Sequence, residues 1–102
     1  MIVEYVRYAI PSERADEFEA AYARAATALE ASEHCAAWEL SRCVEDPAHY
    51  ILRIEWDSVE GHIQGFRASD DFRQFMSDVG PFYDQTEEMR HYARTSVVGG
   101  SG

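Results

Sequence analysis

The stretch from Tyr50 to Tyr83 limits what this chain can fold into more than any other, because an alternating segment ending in Trp56 runs into two short aromatic helical patterns. Tyr50, Leu52, Ile54 and Trp56 recur at period two, which sends all four side chains to one face of a sheet. Ser58 suits a helix N-cap, and Val59, His62, Ile63 and Phe66 then follow at i, i+3, i+4 and i+7. That spacing predicts one buried stripe with an imidazole inside it. Ser69 suits a second N-cap before Phe72, Phe75, Met76 and Val79 at the same spacing, and Gly80 and Pro81 end that helix. One sheet face and two helical stripes are thus made to bury each other.

The rest of the chain supplies the remaining elements. Ile2 to Ile10 reads as a strand with Val6, Tyr8 and Ile10 on one face and Val3, Tyr5 and Arg7 on the other. Pro11 and Ser12 open a long helix whose inward stripe is Phe18, Ala21, Tyr22, Ala25, Ala26 and Leu29, with Glu13, Asp16 and Glu17 near its positive end. Cys35 to Cys43 reads as a second strand with Trp38 and Leu40 inward, and Glu45-Asp46-Pro47 turns it back into a third from His49. Glu88 to Val98 alternates Met89, His91 and Ala93 with Arg90, Tyr92 and Arg94, a last strand. The order gives an α+β fold, a ferredoxin-like split βαβ arrangement with a four-stranded antiparallel sheet and helices on one face. Residues 1–98 form one domain in this reading, and Gly99-Gly100-Ser101-Gly102 is a flexible tail.

The other sheet face carries Val3, Tyr5, Ile51 and Tyr92, an aromatic patch large enough to require a cover. A second copy, sheet against sheet, is the commonest closed solution, so a homodimer through this face is expected, with Arg7, Arg53, Glu39 and Glu55 available to pair across it. The chain's 102 residues bury only a modest core, which association would reinforce.

Charge and composition exclude several classes. Nineteen acidic residues against nine arginines leave a formal charge of -10, which repels nucleic-acid phosphates and anionic membrane surfaces. No long apolar run and no signal-peptide pattern is present, so the expected protein is soluble and cytoplasmic. Cys35 and Cys43 fall on one strand, roughly 26 Å apart, too far for a disulfide. The chain has no Lys, which excludes Schiff-base and phosphate-loop lysine chemistry, and no Asn, so any positioning carboxamide must come from Gln.

The remaining chemistry centres on His62 and Trp56. Tyr8, Trp38 and Tyr50 share the inward side of the sheet, and Phe66, Phe72, Phe75 and Met76 face them from the helices, so these seven are the expected lining of an apolar pocket. Burial would keep the His62 imidazole neutral and available as a base for a phenol or enol, while Trp56 and Phe66 stack on a flat substrate. The competing reading makes His62 a structural core residue with both nitrogens satisfied. His34, Cys35, Cys43 and His49 lack paired ligand spacing, so no metal site is expected. The doublets Asp70-Asp71 and Glu87-Glu88 point apart and read as helix starts or solvated faces.

From Met1 to about Arg94 the chain resembles the antibiotic biosynthesis monooxygenase family of dimeric α+β barrels. The resemblance lies in IVEYVRYAI, the helix opening RADEFEAAY, Cys35 ahead of WEL, the strand end EWDSVE, the helix start ASDDFRQF and the closing MRHYA. It implies a homodimer with a pocket between sheet and helices, and an oxygenase that uses neither metal nor flavin. In the similar haem-degrading branch, a strand Asn, a Trp and a helical His are required. Here only Trp56 matches, because the Asn position falls on Val6 or Arg7 and the His position near Met76. The expectation is a cofactor-independent monooxygenase for a small aromatic or polyketide-like molecule. The alternatives are a noncatalytic small-molecule-binding or interaction domain, and a haem-binding member with iron on His62.

Overall fold

Alternation in the first segment becomes β1 (Ile2–Ala9), in which Glu4, Val6 and Tyr8 are buried on one face, as is Ile10 just beyond its end. The chain is described here from a computed structural model covering residues 1–100, and Ser101 and Gly102 of the expected tail lie outside the described residues. Pro11 leads into a single tight turn, Ser12–Arg14, before α1 (Ala15–Ala31). The helix buries Phe18, Ala21, Tyr22, Ala25, Ala26 and Leu29 as the stripe requires, with Ala15 and Ala28 added at its flanks. Small residues let the helix lie close to the sheet. Phe18 then packs against Tyr8, Tyr22, Tyr50 and Phe82, with ring centroids between 4.9 and 5.2 Å from all four.

The hairpin forms as the sequence requires, with β2 (Cys35–Arg42) and β3 (His49–Trp56) antiparallel and the turn held by the Asp46 carbonyl, which accepts from the His49 N–H at 2.9 Å. After α2 (Asp70–Val79) the chain returns through a short helical turn into β4 (Thr86–Ala93). The four strands lie in the order β2-β3-β1-β4, all antiparallel, with α1 and α2 packed on one face. Strand β4 starts before the expected Glu88 because an irregularity at Arg7 and Tyr8 brings Thr86 opposite Tyr8. It stops short of Val98 because Ile2, the first residue of β1, already pairs with Ala93.

The segment after Ser58 departs from its pattern. Ser58 does cap, its hydroxyl accepting from the Gly61 N–H at 2.8 Å, but Gly61–Phe66 is a π-helical turn in which the His62 carbonyl accepts from the Arg67 N–H at 3.0 Å. The wider winding brings Gly61, His62 and Phe66 inward and leaves Val59 and Ile63 exposed, so the expected stripe of four is corrected to His62 and Phe66. Its two glycines explain the close seat of this turn. A Cβ on Gly65 would lie 2.4 Å from the His34 ring, and one on Gly61 would lie 2.0 Å from the Asp57 carboxylate. Ser69 caps α2 as expected, accepting from the Phe72 N–H at 3.3 Å.

The outer sheet face has the composition expected of it. Tyr5 and Tyr92 meet edge to face at 5.5 Å and Tyr92 stays exposed, whereas Val3 is buried within the single chain. Arg53 pairs with Glu55 at 2.7 Å and Arg7 with Glu88 at 3.7 Å, so these charges already have partners within the single chain. No helix among the described residues is long and apolar enough to cross a membrane.

Candidate active site

Sheet and helices do not meet flush. They enclose a cavity of about 260 Å³ whose wall includes Trp56 and His62 together with Tyr8, Phe66, Phe72, Phe75 and Met76, so seven of the nine residues expected at a site are brought to one place. Trp38 and Tyr50 are not in that wall. Trp38 lies half-buried on edge strand β2, beside Leu29 and Cys35, and Tyr50 is spent on the core, its ring on Phe18 and its hydroxyl donating to the Glu19 carboxylate.

Trp56 ends β3 with its side chain fully buried, and the His62 ring lies flat on it, centroids 4.4 Å apart and planes 12° apart. One face of the indole is therefore covered by imidazole. Its N–H donates to Glu4 Oε1 at 3.1 Å. Glu4 is the principal residue that sequence reasoning overlooked, although it shares the period-two parity of Val6 and Tyr8 on β1, and an acid on an apolar strand face is a signal in itself. His91, directly opposite Glu4 on β4, completes the group: its Nε2 is 2.7 Å from His62 Nδ1, while His62 Nε2 is 3.5 Å from Glu4 Oε1. Arg67 lies at the cavity wall beside them, and Tyr22, also overlooked, hydrogen-bonds Tyr8 elsewhere in the wall.

Burial sets the electrostatics. It raises the Glu4 carboxyl above its ordinary 4.5, against the lowering effects of the Trp56 N–H, His91 and Arg67. Burial also pushes the His62 imidazole down to about 3, with smaller Coulombic contributions from Arg67 and His91. Because one group resists losing its proton and the other resists gaining one, an ion pair between them is disfavoured, and a proton on this pair is held by the acid side or shared. Tyr8 is driven up to about 12 and Tyr22 well above the ordinary 10, so both phenols stay protonated hydrogen-bonding groups.

One carboxylate and two imidazoles with donor atoms within 4.8 Å of one another would be a familiar ligand set for a first-row divalent metal. The distances argue for a different use. His62 stands between its neighbours and turns a different nitrogen to each, so the three groups are also linked as a chain. The same geometry counts against haem iron on His62, because ligation would take a nitrogen that already faces His91 or Glu4.

The antibiotic biosynthesis monooxygenase family model matches residues 1–78. The chain belongs to that family. The uncharacterised protein YczJ of Bacillus subtilis (strain 168) is 30% identical over 76 residues, 74% of this chain and 80% of its own length. A Bordetella bronchiseptica structure described under the family's name superposes with a TM-score of 0.82 at 28% identity, over 92% of this chain and 96% of that one. A point mutant of SnoaB, a cofactor-independent oxygenase from Streptomyces nogalater, superposes with a TM-score of 0.77 over 94% of this chain and 95% of that one. At 16% identity it speaks for the fold alone. Family membership carries a monooxygenase-like architecture, the ferredoxin-like α+β fold expected from the order of elements.

Proposed function

We propose that this protein is a cofactor-independent monooxygenase for a small, flat aromatic or polyketide-like phenol or enol, with Glu4 and His62 as its acid–base pair and Trp56 as the wall that fixes His62. The observation that carries this reading is a buried carboxylate–imidazole pair set into the wall of a mostly apolar cavity. Apolar and aromatic walls, Phe66 and Phe72 among them, suit a flat ligand, and the polar groups suit the acidic proton such a ligand must lose. Removing that proton leaves an electron-rich anion. The anion passes one electron to O₂, and the substrate radical and superoxide combine to form a C–O bond. The resulting peroxide anion takes back that proton as a hydroperoxide, and as its O–O bond breaks the oxygenated carbon gives up its remaining hydrogen as a proton to the departing hydroxide, leaving a carbonyl and one water. All the electrons come from the substrate, so the step balances without a further reductant.

The function proposed includes a homodimer through the outer sheet face. Tyr5, Ile51 and Tyr92 form the patch, and a stable interface of this kind buries on the order of 1,500 Å². Free thiols at Cys35 and Cys43 accord with the reducing cytoplasm as its location.

Oxygen uptake measured against a panel of fused-ring phenols and hydroquinones tests the reaction. Uptake matched one to one by an oxygenated product supports it. Tight binding of the same compounds with no uptake would instead make the cavity that of a noncatalytic binding domain.

A further inference from the structure

Across the β1–β4 ladder Glu4 and His91 are direct partners, so both side chains rise from the same face of the sheet, and the π-helical turn lowers His62 between them. Glu4 and His62 are buried, whereas His91 is half-buried on an edge strand. Among the described residues its Nδ1 has no hydrogen-bond partner. We propose that Glu4, His62 and His91 form a proton relay that connects the buried acid–base pair of the cavity wall with solvent at the β4 edge, with His91 as its outer station. This rests on the acid–base reading above and adds to it the route by which the pair is recharged.

The relay balances proton by proton. In the loaded state the Glu4 carboxyl carries a proton, His62 carries one on Nδ1 and His91 one on Nδ1. Discharge moves every proton one place outward: Glu4 gives to His62 Nε2, His62 Nδ1 gives to His91 Nε2, and His91 Nδ1 releases to water. Each imidazole ends neutral in its other tautomer and Glu4 ends as carboxylate, so no buried imidazolium has to persist. Loading runs the same steps inward. The charged and titratable groups facing His62 are Glu4 from β1, His91 from β4 and Arg67 at the end of its own turn. Arg67 opposes a lasting positive charge on His62 and so favours concerted transfer. The Trp56 N–H fixes Glu4 Oε1, and the stacked indole holds the imidazole in line.

The ¹⁵N resonances of the histidine rings test the relay without any substrate. In the wild type, His62 and His91 are expected to change tautomer together over one pH range, and Glu4→Gln, which cannot hand on a proton, abolishes the linked change at both rings. His91→Gln and His91→Phe should each freeze the His62 tautomer while near-ultraviolet circular dichroism shows the fold retained, and His34→Gln should leave the coupling intact. Independent behaviour of the two rings, or a His62 tautomer that ignores both His91 variants, overturns the relay. With a turnover substrate, His91→Gln should lower kcat about tenfold or more at unchanged KM, and added imidazole should restore it. Linked tautomers without oxygen uptake would keep the relay and refute the monooxygenase reading. Uptake insensitive to His91 and to imidazole would do the reverse.

Discussion

Trp56 donates its indole N–H to Glu4 Oε1 from the end of the neighbouring strand, a diagonal cross-strand contact between two buried side chains. Among the described residues it is the one hydrogen bond that this carboxylate receives from an uncharged donor. Trp56→Phe, which keeps an aromatic ring but removes the donor, should therefore cost about 1–3 kcal/mol in urea unfolding, in the range for stranding a buried polar group. Trp56→Phe with Glu4→Gln should cost less than the sum of the two, because both variants act on the same hydrogen bond.

Acid should loosen this protein through His62. Its folded value near 3 lies below the ordinary 6.5, so the unfolded chain takes up the proton first, and stability falls as pH drops from about 6.5 towards 3. His62→Gln should flatten that decline in denaturation midpoints measured between about pH 7 and 4.

The surface pair His34–Asp57, 2.8 Å apart, has the opposite histidine sign. The hydrogen bond to Asp57 raises His34 above 6.5, so its contribution is present below 6.5 and is lost as pH rises through the folded value. His34 lowers Asp57 below 3.8, so that contribution is present above 3.8 and is lost as pH falls. Both act fully only between about pH 4 and 6.5, and Asp57→Asn should narrow the stability difference between about pH 5.5 and 8.

Gly65→Ala should destabilise by about 1–3 kcal/mol, because the new Cβ meets the His34 ring at 2.4 Å. His34→Ala in the same chain should recover part of that loss, a non-additivity that a thermal-melt double-mutant cycle would measure.

Element order, strand parity and helix stripes were legible because burial on one face leaves a period in the sequence, as it does at Tyr50, Leu52, Ile54 and Trp56. What escaped has physical causes. The π-helical turn depends on His34 filling the space above Gly61 and Gly65, a contact between segments far apart in sequence. Glu4 was passed over because its apolar neighbours define the face, and its partners, at 56, 62 and 91, are joined only by sheet register and the seat of the turn. Trp38 and Tyr50 share the parity of the cavity residues, but parity fixes a face and not a position along it. Both lie towards the β2 side and the α1 core.

The outer sheet face should make the protein a dimer. Light scattering at micromolar concentration is expected to give twice the chain mass of 11.6 kDa, and Tyr5→Glu should return it to one chain by stranding a charge in the interface. A wild-type mass of one chain would leave Tyr92 and its neighbours as solvated aromatics.

Oxygen uptake by wild type and His62→Gln, on whichever flat phenol of the panel is turned over fastest, tests the central claim most directly. The imidazole in the cavity wall predicts a fall in kcat of about 10²- to 10⁴-fold with the fold intact, since Gln keeps bulk and hydrogen bonding but accepts no proton at neutral pH. Unchanged turnover together with a lowered melting temperature would contradict it and make His62 a packed core residue.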